Sequence, residues 1–142
     1  LASGCFSLVT KSTTASIDEL INLLDQYIDM INSPYMKGCL DVGHMLLTGE
    51  SLSRVIELMG ADRIAALHIH DVYPQSDAHT LPFLGNVNFE EMVTSLKKIG
   101  YRGDITFESG AFEKHFPTVE LMLSALRLTA DVGKYFKARI EE

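Results

Sequence analysis

The stretch RIAALHIHD, residues 63–71, decides how the chain is read. It is a short apolar run between charged residues, and it closes on two histidines and an aspartate. A continuous apolar run of this length is the habit of a strand buried on both faces, as in a parallel sheet. Strand alternation puts His68 and His70 on one face and Leu67 and Ile69 on the other. Upstream, YMKGCLDVGH (residues 35–44) has the same shape and is expected to be a strand ending near Asp41. Downstream, GDITFES (residues 103–109) is expected to be a third strand, with Glu108 at its end.

Helical patterns separate these runs. In residues 16–32, Ile17, Leu20, Ile21, Leu24, Ile28 and Ile31 form one apolar stripe, and Ser16 with Glu19 fits a capping box. ESLSRVIELMG (residues 50–60) reads as a helix closed by Gly60. Residues 88–100 read as another, with Asn88 as N-cap and Gly100 past its end. A long final helix is expected from Pro117. Residues 1–15 and the stretch from Val72 to Val87 read as loops. Strands alternating with helices predict an α/β fold with a parallel sheet and right-handed crossovers. Ligands of such sheets gather at the C-terminal ends of the strands. Asp41, His68 and Glu108 all fall there, and each is a residue type that binds divalent metals.

The 142 residues suffice for one domain, and 46% apolar with 22% charged is ordinary globular composition. A net charge of −7 speaks against a polyanionic partner, because duplex binding relies on Lys and Arg. No run is long and apolar enough to span a membrane. The two cysteines, Cys5 and Cys39, make no disulfide framework, so a cytoplasmic setting is expected. The first residues lack a signal-peptide pattern and an initiator methionine, as expected of a piece of something longer.

CLDVGHMLLTG (39–49), ALHIHD (66–71) and DAHTLPFLGNVNFEEMVTSLKKIGYRGDITFE (77–108) together resemble the C-terminal half of the xylose isomerase-like TIM barrel superfamily. That group includes sugar and sugar-phosphate isomerases and epimerases and endonuclease IV-type repair enzymes. The resemblance spans roughly residues 16–140. It implies a partial (β/α)8 barrel, about three to four βα units in a single domain over residues 1–142. It implies a divalent metal (Mn, Zn, Co or Mg) held by Asp41, His68 and Glu108, with Glu108 also moving a proton. It implies that His44 and His79 contact a small-molecule sugar substrate. In the nuclease branch, His44 and the pair Asp77 and His79 match ligands of a further zinc. The resemblance gives His70 no role, and a packed, hydrogen-bonded histidine is expected there. The family's fourth ligand is a glutamate on an earlier strand, but the first acidic residue here is Asp18, inside the first helix.

The resemblance therefore points to a metal-dependent sugar or sugar-phosphate isomerase or epimerase. An abasic-site nuclease of the endonuclease IV type is one alternative. A non-catalytic half-barrel that self-associates to cover its open sheet edges is another, and a homo-oligomer is expected. The residues also admit plainer roles. Asp41 would cap the following turn, His44 would be a solvated loop histidine, and Asp77 and His79 would sit on a polar loop.

Overall fold

A computed structural model describes residues 5–7, 16–110 and 115–142. Three parallel strands form the sheet in the order β1 (Cys5–Ser7), β2 (Lys37–Asp41) and β3 (Ile64–His68). β1 corrects the expectation of a loop over residues 1–15, of which 1–4 and 8–15 lie outside the described residues. Three residues are too few to show periodicity, and the strand exists because β2 offers it a ladder from Cys5↔Lys37 to Ser7↔Cys39.

Between the strands run α1 (Ile17–Ile31), α2 (Val42–Thr48) and α3 (Leu52–Arg63). The capping box of α1 is present, with Ser16 Oγ accepting the Glu19 N–H and the Glu19 carboxylate accepting the Ser16 N–H. Its stripe buries Ile17, Ile21, Leu24 and Ile28, while Leu23, Met30 and Ile31 stay exposed. α2 was not expected. Asp41 caps its start, and Gly49 ends it in the left-handed region at φ 78°. In α3 the helical backbone breaks at Gly60 (φ 68°), where the sequence predicts a stop, and a last turn follows to Arg63.

After β3 the fold departs from the simple alternation. The stretch Val72–Val87, expected to be a loop, carries an antiparallel hairpin of β4 (Asp71–Tyr73) and β5 (Ser76–Thr80). The third long strand expected over residues 103–109 is reduced to one parallel bridge, Ile69↔Phe107. There the Ile69 N–H donates to Thr106 (2.9 Å) and the Glu108 N–H donates to Ile69 (2.9 Å). β3 turns away into β4 immediately afterwards, so the ladder has nothing further to pair with. This segment still takes the place beside β3 that a fourth barrel strand would occupy. α4 (Phe89–Lys98) carries the expected Asn88 cap, and α5 (Val119–Glu141) begins at a Thr118 cap, two residues past Pro117.

The core lies between the sheet and the helices. Leu40, Leu67 and Ile69 from the strands meet Val55 and Ile56 of α3 and Met92 and Leu96 of α4, all essentially fully buried. Fully burying one such side chain is worth about 1.5–3 kcal/mol. Phe136 of α5 is also fully buried, within ring-contact distance of Phe83, Phe89 and Phe107. Among the described residues no helix is long and apolar enough to cross a membrane.

A candidate metal centre and its rim

Parallel register sets Asp41 opposite His68 at the C-terminal ends of β2 and β3. The Ile69↔Phe107 bridge then brings Glu108 alongside. His68 Nδ1 lies 3.1 Å from Glu108 Oε2 and 3.9 Å from Asp41 Oδ2. Ligand atoms of Asp41 and Glu108 approach within 4.8 Å of each other. The three residues singled out in the sequence are therefore neighbours at one end of the sheet, but the group whose ligand atoms all lie within 4.8 Å of one another is Asp41, His70 and Glu108, with His70 in place of His68. Two carboxylates and an imidazole form a donor set that suits Mn, Co, Zn or Mg.

Asp41 is 2% exposed and its two oxygens are not equivalent. Oδ1 accepts the His44 N–H at 3.0 Å and is 2.9 Å from His70 Nε2. Oδ2 is 2.8 Å from His44 Nδ1 and faces His68. The capping role and the ligand role, alternatives in the sequence, are thus compatible: one oxygen caps α2 and the other faces the site. Burial alone would raise the Asp41 pKa. The His70 hydrogen bond, the His44 N–H and the two imidazoles outweigh it and hold the carboxyl below its usual value.

A second cluster forms the rim. His44 Nε2 is 3.2 Å from Asp77 Oδ2, and His79 Nε2 is 3.2 Å from Asp77 Oδ1. Burial opposes ionisation of Asp77, but the His44 hydrogen bond and the surrounding histidines lower its pKa overall. His79 Nδ1 lies 3.1 Å from the Glu108 carbonyl oxygen. A carbonyl only accepts, so Nδ1 carries a proton and Nε2 faces the Asp77 carboxylate. His79 has φ 45°, an unusual conformation for a non-glycine residue, of the kind that clusters at functional sites.

Three further residues build this geometry and carried no role in the sequence reading. His70 is fully buried. It bonds Asp41 and stacks on His79 with centroids 3.9 Å apart and planes at 6°. Its expected packed, hydrogen-bonded state is what the structure has. Gly43 makes room for it, since a Cβ there would fall 2.3 Å from the His70 ring. Asp71, also fully buried, spans the rim. Oδ1 accepts the N–H groups of Val72 (2.9 Å) and Val87 (2.9 Å), and Oδ2 accepts that of Gly85 (2.8 Å). An acid directly after an apolar strand, followed by a loop glycine, was the available signal. The pairing itself is formed across the loop.

A cleft of about 530 Å³ opens at the opposite end of β2, beside Lys37 and Arg63. Arg63 is taken up by ion pairs to Asp25 and Asp29, and the cleft is remote from Asp41. The strand-end cluster is the better candidate site.

The family described as Xylose isomerase-like TIM barrel matches residues 13–132. The chain belongs to this family. It is 25% identical over 131 residues to the putative L-ribulose-5-phosphate 3-epimerase SgbU of Haemophilus influenzae, covering 80% of this chain and 46% of that protein. A solved D-allulose 3-epimerase from Methylomonas sp. superposes with a TM-score of 0.64 at 25% identity, over 95% of this chain and 48% of that one. A D-psicose 3-epimerase solved in the presence of D-fructose superposes with a TM-score of 0.69 over 94% of this chain and 48% of that one. Its identity of 13% makes it evidence for the fold alone. The chain spans about half the length of these relatives, and its fold is correspondingly part of a TIM barrel.

Proposed function

We propose that this chain is the metal-bearing half of a sugar or sugar-phosphate 3-epimerase or related isomerase. Asp41, His68 and Glu108 would hold one divalent metal, Mn, Zn, Co or Mg. When bound, that metal would polarise a sugar carbonyl and its neighbouring hydroxyl. The observation that carries this reading is the meeting of two strand ends with the segment bridged at Phe107, which sets His68 Nδ1 3.1 Å from Glu108 and 3.9 Å from Asp41. The epimerase relatives favour the 3-position of a pentulose or hexulose as the reacting centre.

Glu108 is the candidate base. Its carboxylate is 43% exposed and stands on the open side of the cluster, where it can take a proton from a carbon next to the carbonyl. His44 and His79 stand 5.5 Å apart at the same rim, and each would exchange its Asp77 partner for a sugar hydroxyl on binding substrate. Return of the proton on the opposite face needs a second group, and the family's glutamate for this role lies on a strand before α1. Two copies pairing through their open sheet edges would give the expected homo-oligomer.

The test is metal content of the purified chain, followed by 3-epimerase assays on D-allulose, D-fructose and L-ribulose 5-phosphate with each metal. We expect about one metal per chain, lost in Asp41→Ala. An unloaded chain after incubation with all four metals would end this reading. The His44–Asp77–His79 cluster favours a second reading, a zinc-dependent abasic-site nuclease, which the net charge of −7 opposes. Cleavage of an abasic-site duplex with zinc would establish it.

A further inference from the structure

His70 has ring nitrogens within 4.8 Å of ligand atoms of Asp41 and Glu108, and of His44, Asp77 and His79, so distance alone would admit it as a ligand; its bonding and orientation point elsewhere. Its Nε2 is committed to Asp41 Oδ1 at 2.9 Å. Its Nδ1 is buried and has no hydrogen-bond partner among the described residues. Ligand atoms of His70 and His79 lie within 4.8 Å of each other, but their orientation opposes a shared ion. Their rings are stacked at 3.9 Å and 6°, so the in-plane nitrogen lone pairs run parallel and do not converge. The ring is also confined. It is fully buried, the missing Cβ of Gly43 leaves it just enough space, and His44 abuts it edge-on at 5.1 Å.

What the ring does is hold one oxygen. Asp41 Oδ1 takes two donors, His70 Nε2 and the His44 N–H, and so turns away from the site. Oδ2 is left facing His68. Without the His70 donor, Oδ1 keeps only the His44 N–H and Oδ2 only the His44 ring at 2.8 Å, so the carboxylate is held from one residue and is freer to rotate. We infer that His70 is a positioning residue that selects Oδ2 of Asp41 as the single oxygen offered to the metal, and so sets the coordination geometry at Asp41, His68 and Glu108. This rests on the metal-site reading proposed above. Outer hydrogen bonds to ligating groups of this kind orient the ligand and tune its affinity.

The experiment loads the full chain with Co(II) and records its visible absorption spectrum and its dissociation constant, with circular dichroism to confirm folding. His70→Gln places an amide near the Nε2 position, within reach of Asp41. His70→Asn is equally polar but falls short. We expect the Gln variant to keep the wild-type spectrum and affinity. We expect the Asn variant to change the band shape and to bind about 10- to 100-fold more weakly. A wild-type spectrum and affinity in the Asn variant would overturn the inference while leaving the metal site standing. So would an equal disturbance in both variants. Should the Asn variant not fold, Gly43→Ala, which pushes the ring off Asp41, takes its place with the same two outcomes. A folded wild-type chain that binds no Co(II) would bring down the metal-site reading, and this inference with it.

Discussion

Asp71→Asn is the most informative single change in the rim. Asp71 is fully buried, and its two oxygens accept three backbone N–H groups, from Val72, Gly85 and Val87, at 2.8–2.9 Å. Asparagine keeps one accepting oxygen, which can serve Val72 and Val87. Its amide nitrogen then faces the Gly85 N–H, donor against donor. One hydrogen bond to a charged group is lost, worth about 1.5–3 kcal/mol, and the other two weaken as the charge disappears. Asparagine escapes the cost of a buried charge, but three N–H groups already compensate that charge. The net loss should be about 2–3 kcal/mol. For a domain of this size that lowers Tm by about 10 °C. Thermal and urea denaturation followed by circular dichroism would measure it. Hydrogen exchange would locate it, with the Gly85 and Val87 amides exchanging faster and those of α1 unchanged. A loss below about 0.5 kcal/mol, the range of an ordinary surface substitution, with unaltered exchange at Gly85, would refute this account of how the rim is held.

Other consequences are equally direct. Gly85→Ala should destabilise comparably, because a Cβ would lie 2.5 Å from Asp71 Oδ1 and 2.6 Å from the Val72 carbonyl oxygen; a neutral denaturation midpoint would contradict this. Against burial, the His70 hydrogen bond, the His44 N–H and the two imidazoles hold the Asp41 carboxyl below the ordinary aspartate value, so its contribution to stability is complete above that ordinary value and is lost as the pH falls through the lower native value. Asp41→Asn should therefore flatten the acid limb of the stability curve measured without metal. Tyr101 donates its hydroxyl to the Asp104 carbonyl, and burial, followed by the charge of Asp104, pushes its pKa up to about 12. Its share of stability should fall between pH 10.0 and about 12, where only the unfolded chain ionises, and Tyr101→Phe should remove the late step in an absorbance titration. Phe136→Ala empties the centre of the aromatic cluster and should cost about 3–5 kcal/mol in urea denaturation.

Much of the scaffold was legible because it is written in local chemistry. The Ser16–Glu19 box, the Asn88 cap and the breaks at Gly60 and Gly100 depend on residues within a few positions of one another, and all are present. The buried strand β3 was legible because its apolar run is continuous. α2 was missed although its signals are local, since Asp41 was read as the end of a strand and also caps the next helix. The β4–β5 hairpin was missed because Pro and Gly mark its surroundings as loop, while its order comes from a carboxylate that reaches residues 14 and 16 positions away.

The candidate ligands divide in the same way. That Asp41 and His68 stand at strand ends follows from the sequence alone, because hydrophobic runs mark where strands stop and parallel connection puts those stops on one edge; Glu108 reaches the same edge after a single bridge at Phe107, not a full strand. That His68 meets Glu108, that Asp41 shows the site only one oxygen, and that His70 and Gly43 interlock behind it were settled only by tertiary structure. These contacts join residues 27 to 40 positions apart, and side-chain direction, register and free volume between separate elements leave no periodic trace in a sequence.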